Sequence, residues 1–135
     1  MNITIIALVE ILGFFWVYHS AMELGRKIDA KRLTEFVHKT KSSFYKLILT
    51  NYIVPNSKIV GIFTVFTYIF TAVAYISTVG WLILPASILI IFLLINFTIA
   101  GPSSLANNIL LISLHMLVLI TIALGIQYRP FWILF

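Results

Sequence analysis

Glu10 is a carboxylate inside an otherwise apolar stretch, Ile3 to Met22. A charge buried in a membrane span is costly unless it is protonated, paired or wet. Glu10 is therefore a candidate proton, cation or substrate site. The alternatives are a neutral acid hydrogen-bonded to a neighbouring helix, or a residue at headgroup level. His115 stands midway along another apolar stretch, where an imidazole can relay protons, bind a metal or ligate haem; a lone intramembrane histidine is more often a hydrogen-bonded packing residue. Asn108 precedes it by seven positions, on the same helical face, with Ser104 a turn earlier, so this polar face should point inward. At a rise of about 1.5 Å per residue, Glu10 falls roughly 10 Å below the nearer boundary. The same arithmetic puts Thr71 and Tyr75 close to its level and His115 about 7 Å deeper. Arg129 at that outer edge is a candidate counter-ion.

Other chemistry is thinly supported. Glu35 and His38 have the Glu-x-x-His spacing that projects two metal ligands from one helical turn, but a di-iron bundle needs two such pairs and two further carboxylates. The chain has four acids in all. His19 and Glu23 add an i,i+4 pair, which makes His19, Glu23, Glu35 and His38 a weak metal cluster, with solvated helix faces as the plainer reading. His19 and His115 are expected at different depths, which disfavours a bis-histidine haem. Without cysteine there is no thiolate metal site, Fe–S cluster or disulfide. Hydrolase chemistry lacks a placed base, and no glycine-rich phosphate loop is present. No cofactor is expected.

The elements that must position these residues follow from the hydropathy. Ile59 to Tyr128 contains no Lys, Arg, Asp or Glu, long enough for about three spans of roughly 20 residues each. With 61% hydrophobic and 10% charged residues and a mean hydropathy of +1.09, the chain is far from the roughly 25% charge of soluble domains. The expected fold is a single all-α membrane domain: four transmembrane helices at about 3–22, 59–79, 81–100 and 105–127, with an amphipathic interfacial helix between the first and second. Gly80, Trp81 and Pro85 mark one turn. Ala100-Gly101-Pro102-Ser103-Ser104 marks the other, with Ser103 or Ser104 as N-cap.

The connector, residues 23–58, carries eleven of the thirteen charged side chains. By the positive-inside rule it is cytoplasmic and both termini are outside. Leu33, Phe36, Val37, Phe44, Leu47 and Ile48 recur there at helical spacing. Arg26, Lys27, Lys31, Arg32, Lys39, Lys41 and Lys46 are positioned to meet anionic headgroups or a partner protein. The net charge of +5 therefore points to lipid phosphate and not to nucleic acid. The apolar opening has no basic residue ahead of it and no cleavage pattern after it, so it is expected to be retained as a span. Trp16, Tyr18 and His19 suit the headgroup layer at its far end, and the aromatic tail 128–135 suits an interface anchor. Asn2-Ile3-Thr4 and Asn96-Phe97-Thr98 match a glycosylation pattern by accident.

The spans differ in character. The second places Thr64, Thr67, Thr71 and Thr78 along one stripe, expected inside the bundle, where small residues permit close helix contact; a polar pathway lined by these hydroxyls is the sharper alternative. The third, Ile88 to Ile95, is expected to face lipid over much of its surface. An acid in the first span of a small four-helix chain is similar to small multidrug-resistance transporters, but the basic connector has no place in that compact pattern and no family is assigned. The expected function is that of a non-catalytic structural or accessory subunit of a larger membrane complex, partnered by lipids and by other membrane subunits or by itself. A small homo-oligomeric proton- or cation-coupled transporter or channel using Glu10 is the alternative, and a membrane enzyme with a buried histidine or metal is the third reading.

Overall fold

The structure, a computed structural model, describes residues 3–24, 30–100 and 105–125, leaving aside the side chains of Ala30, Arg32 and Ala100. Long apolar stretches form helices wherever turn residues allow: α1 (Ile3–Leu24), α4 (Ser57–Ser77), α5 (Gly80–Ala100) and α6 (Leu105–Ala123), separated by the short α2 (Ala30–Lys39) and α3 (Ser43–Ile48). Each of the four long helices is long and apolar enough to cross a membrane. α1 packs chiefly on α4, α4 on α5, and α5 on α6. The expected site calls at Arg26, Lys27, Ser104 and Arg129, the turn at 101–104, the aromatic tail and Asn2 lie outside the described residues.

The first turn differs from its expected place. α4 ends because Thr78 takes a left-handed conformation, φ 49°, which is costly for a β-branched residue. Gly80 and Trp81 already belong to α5, and Pro85 lies inside that helix. The connector also breaks once more than its apolar periodicity suggests. The Thr40 N–H closes α2 on the Phe36 carbonyl, and Ser42 accepts from the Tyr45 N–H as N-cap of α3. A single π-helical turn, Leu49–Ile53, then leads to Pro55 and α4.

The connector lies across one end of the bundle, against α5 and the start of α4. Leu33 and Leu49 are buried there, whereas Phe44 and Leu47 remain exposed. Tyr45 donates its phenol to Asn96 Oδ1 on α5 at 2.6 Å, and the Asn96 amide donates to the Phe92 carbonyl at 2.7 Å. This bond clips the connector to the third span and occupies the Asn96 side chain within a helix. Burial pushes the Tyr45 phenol above its ordinary range, near pH 10 for a free tyrosine. A raised acid in the folded state leaves the clip intact below about pH 10 and weakens it as pH rises through the folded value. Tyr45→Phe should therefore speed hydrogen exchange in α3 at neutral pH with little change in α6. Equal protection in both proteins would show that the clip contributes nothing.

The core has two parts. Ile6, Val9, Leu12, Ala74, Tyr75, Ile83, Ala86 and Val118 pack together toward the α4–α5 turn; Trp16, Tyr68, Ala72, Ile90, Leu93 and Leu94 pack together nearer the connector. The third span leaves much of its surface outward, with Trp81, Leu84, Ile88, Phe92, Ile95 and Ile99 exposed, and also turns a face inward: within Ile88–Ile95, Ile90, Ile91, Leu93 and Leu94 are buried. It sits between α4 and α6, and a helix that is apolar all round gives no sequence sign of which face turns inward.

Candidate functional site

Between the two core clusters, one side chain from each long helix meets in a buried polar chain. Trp16 (α1), Tyr75 (α4), Ser87 (α5) and His115 (α6) are all almost wholly removed from the surface. The Trp16 indole N–H donates to His115 Nε2 at 3.0 Å; Tyr75 Oη lies 2.7 Å from His115 Nδ1 and 2.6 Å from Ser87 Oγ. An indole N–H can only donate. Nε2 must therefore accept, and the hydrogen of the neutral imidazole is assigned to Nδ1. That N–H donates to Tyr75 Oη, and Tyr75 Oη and Ser87 Oγ share a hydrogen bond in which either hydroxyl can donate. Donor capacity thus fixes the order Trp16→His115→Tyr75, and Ser87 completes the chain.

Neighbouring rings support the chain. Trp16 stacks on Tyr68 with centroids 5.0 Å apart, and His19 packs edge-on or tilted against Phe15, Tyr18 and Tyr68. Trp16 accordingly belongs to the interior and not to the headgroup layer. Its approach depends on Gly13, one turn earlier, where α1 touches the backbone of Ile76.

The threonine stripe is buried, but three of its hydroxyls turn back on their own helix: Thr64 on the Val60 carbonyl, Thr67 on Phe63 and Thr71 on Thr67, each at 2.8–2.9 Å. What the stripe offers its neighbours is small, apolar-surfaced contact, not a hydroxyl-lined route. Asn108 is buried two turns from His115 on the same face of α6.

Glu10 stands apart from this chain. Gly13, not Glu10, is level with Tyr75 and Ile76, so Glu10 lies about one turn nearer the end of the bundle where α1 starts than Tyr75, and about two turns nearer than Thr71. Its side chain is half-buried, and among the described residues no hydrogen bond or ion pair reaches it. Glu35 and His38 are exposed on α2, and no three of the described His, Asp or Glu residues gather as a metal site. Lys31, Lys39, Lys41 and Lys46 are exposed along the connector.

Sequence reasoning had Tyr75 and His115 as separate candidates and missed Trp16 and Ser87. Trp16 carried a signal: a span indole needs an acceptor if it faces inward, and it shares a helical face with Val9, Leu12 and Gly13. Ser87 is a hydroxyl within an Ile/Leu-rich span, whose partner only the packing identifies.

Four apolar helices closed over an internal hydrogen-bond chain define a multi-pass helical membrane protein. No family model, curated protein or solved structure matches the chain, so the chemistry of the site rests on these residues.

Proposed function

We propose that the chain is a non-catalytic, structural or accessory subunit of a larger membrane protein complex. The observation that carries this reading is that the polar groups inside the bundle are spent on one another. Among the described residues every buried side-chain nitrogen and oxygen has a partner, and the four-residue chain ties one helix to the next. A site for chemistry or conduction needs a polar group with unused capacity and room for water or substrate. The groove found on the bundle is apolar and opens on its outer flank. A proton- or cation-coupled carrier built on Glu10 would also need a wet route behind it, and among the described residues no buried side-chain nitrogen or oxygen there is left without a partner.

What remains available lies outside the bundle: Glu10 on one flank, and the exposed lysines of the connector. By the positive-inside rule that connector faces the cytoplasm and the termini face the opposite side. Its lysines then meet anionic headgroups or a partner's acidic surface. Extraction in a mild detergent followed by native mass spectrometry should recover the chain with other polypeptides in a fixed ratio. A monodisperse homo-oligomer without companions would overturn the reading.

A further inference from the structure

We propose that α3 is seated in the membrane boundary by anionic phospholipid, with its Phe44–Leu47 edge among the acyl chains and Lys39, Lys41 and Lys46 on the headgroup phosphates. Phospholipid, and not a partner's acidic surface, is then the anion that the connector's lysines meet. This holds with or without companion chains and so goes beyond the subunit reading.

The kink at Thr40–Ser42 splits an apolar stripe that the sequence carries along one helical face. Leu33 before it and Leu49 after α3 are buried on the bundle, whereas Phe44 and Leu47 between them are 73% and 58% exposed. Tyr45 sets this orientation. Its bond to Asn96 aims it at α5, and at about 100° per residue Phe44 then points to one side of it and Lys46 to the other, with Leu47 about 60° beyond Phe44. The outward surface of α3 is thus divided into an apolar edge and a basic edge.

The clip also fixes the depth. α5 runs 21 residues, Gly80–Ala100, about the 30 Å of a hydrocarbon core, so its end marks the boundary. Asn96 precedes that end by about one turn, roughly 6 Å, and α3 is held within a side chain's length of this level. An amphipathic interfacial helix rests at such a place, with its apolar face about 5–10 Å into the headgroup–acyl boundary. Asn96 itself borders the outward stripe of α5, where Phe92, Ile95 and Ile99 are exposed. The clip therefore stands at a lipid-facing position and not in the interior.

Charge selects the occupant. From Phe36 to Lys58 the chain has four lysines and no acid, and among the described residues no ion pair occupies Lys39, Lys41 or Lys46. A cationic strip beside an apolar edge at this depth matches the phosphate and the acyl chains of one lipid. An acidic protein surface would satisfy the lysines and leave Phe44 and Leu47 without an apolar neighbour. A second copy docked through the same edge would bring lysine against lysine.

The chain has no cysteine, so one introduced thiol carries one nitroxide. The full chain is placed in vesicles of phosphatidylcholine and phosphatidylglycerol in equal parts, labelled at Phe44→Cys or Leu47→Cys and, for comparison, at His38→Cys on the exposed face of α2. The Phe44 and Leu47 positions should be relaxed by oxygen, which concentrates in acyl chains, and the His38 position by an aqueous nickel chelate. Mass spectrometry of the lipid retained by extracted protein should show phosphatidylglycerol enriched over phosphatidylcholine. Lys39→Gln, Lys41→Gln and Lys46→Gln together should cut that enrichment at least about fivefold, the contribution of one lysine near an anionic surface, with the helical circular dichroism unchanged. Phe44 and Leu47 labels as open to the chelate as the His38 label would leave the edge to a protein partner and overturn the proposal. Spin–spin broadening from a second copy on this edge, or undiminished enrichment in the triple variant, would overturn it as well. Recovery of companions in a fixed ratio is read separately, so any of these failures leaves the subunit reading standing.

Discussion

Replacing His115 with alanine should destabilise the bundle by about 3–5 kcal/mol, combining the loss of a buried ring with the loss of two hydrogen bonds. His115→Leu separates the two contributions, because leucine refills much of the space but leaves the Trp16 N–H without an acceptor and Tyr75 Oη without its imidazole. An orphaned buried donor costs about 1–3 kcal/mol in soluble proteins, while intramembrane hydrogen bonds average only about 0.6 kcal/mol. The leucine variant should therefore fall by about 1–3 kcal/mol, measured by denaturant unfolding of the helical signal in mild detergent. Ser113→Ala, on the exposed face of the same helix, should change stability by less than about 0.5 kcal/mol. If His115→Leu proves as stable as the wild type, the polar chain does not hold the four helices together. A cycle with Trp16→Phe then reports whether the two sites are coupled, as a direct bond requires.

The importance of that chain follows from the solvent. Apolar helices gain no hydrophobic free energy by meeting one another in lipid, so association depends on close packing and on the few polar groups that can find partners. Here the bonds run from α1 to α6, from α6 to α4 and from α4 to α5. Each also selects a register, because a helix displaced by one residue rotates its polar group away by roughly 100°.

The spans were legible in the sequence because absence of charge over seventy positions, Ile59 to Tyr128, is a signal that packing does not disguise. The threonine stripe was legible for a similar reason: small polar residues repeated at helical spacing mark a face. The inward face of α5 was not, since Ile, Leu and Phe surround it and no moment distinguishes core from lipid. The break at Thr40–Ser42 had a cue in Ser42, a good N-cap residue, but the apolar periodicity running through it reads as one helix. Glu10 could be found from its type alone. Its depth relative to Tyr75 could not, because the register of α1 on α4 depends on packing that composition does not reveal, including the close approach at Gly13.

That contact supplies the second large effect. A Cβ on Gly13 would come within 2.8 Å of Ile76 Cγ1, 3.0 Å of the Ile76 nitrogen and 3.1 Å of Tyr75 Cβ. The side-chain atom can yield by a rotamer change, but the backbone nitrogen moves only with α4. Gly13→Ala gains up to about 1 kcal/mol of helix propensity, which offsets part of the clash and leaves a small net loss. Gly13→Leu gains nearly as much propensity, but its larger side chain cannot be absorbed: α1 must move outward, at a net cost of about 3 kcal/mol, the upper end of the overpacking range. Trp16 is one turn further along and donates to His115 at 3.0 Å, so an outward shift of about 1 Å carries the pair past hydrogen-bonding distance. Gly13→Leu should therefore reproduce the spectroscopic consequence of His115→Leu. The Trp16 indole N–H resonance, assigned among the three tryptophans by its disappearance in Trp16→Phe, should move to an unbonded position in both variants. Gly13→Leu with unchanged stability and an unmoved Trp16 resonance would mean that the α1–α4 crossing is set elsewhere, and that the polar chain tolerates helix separations its distances do not allow.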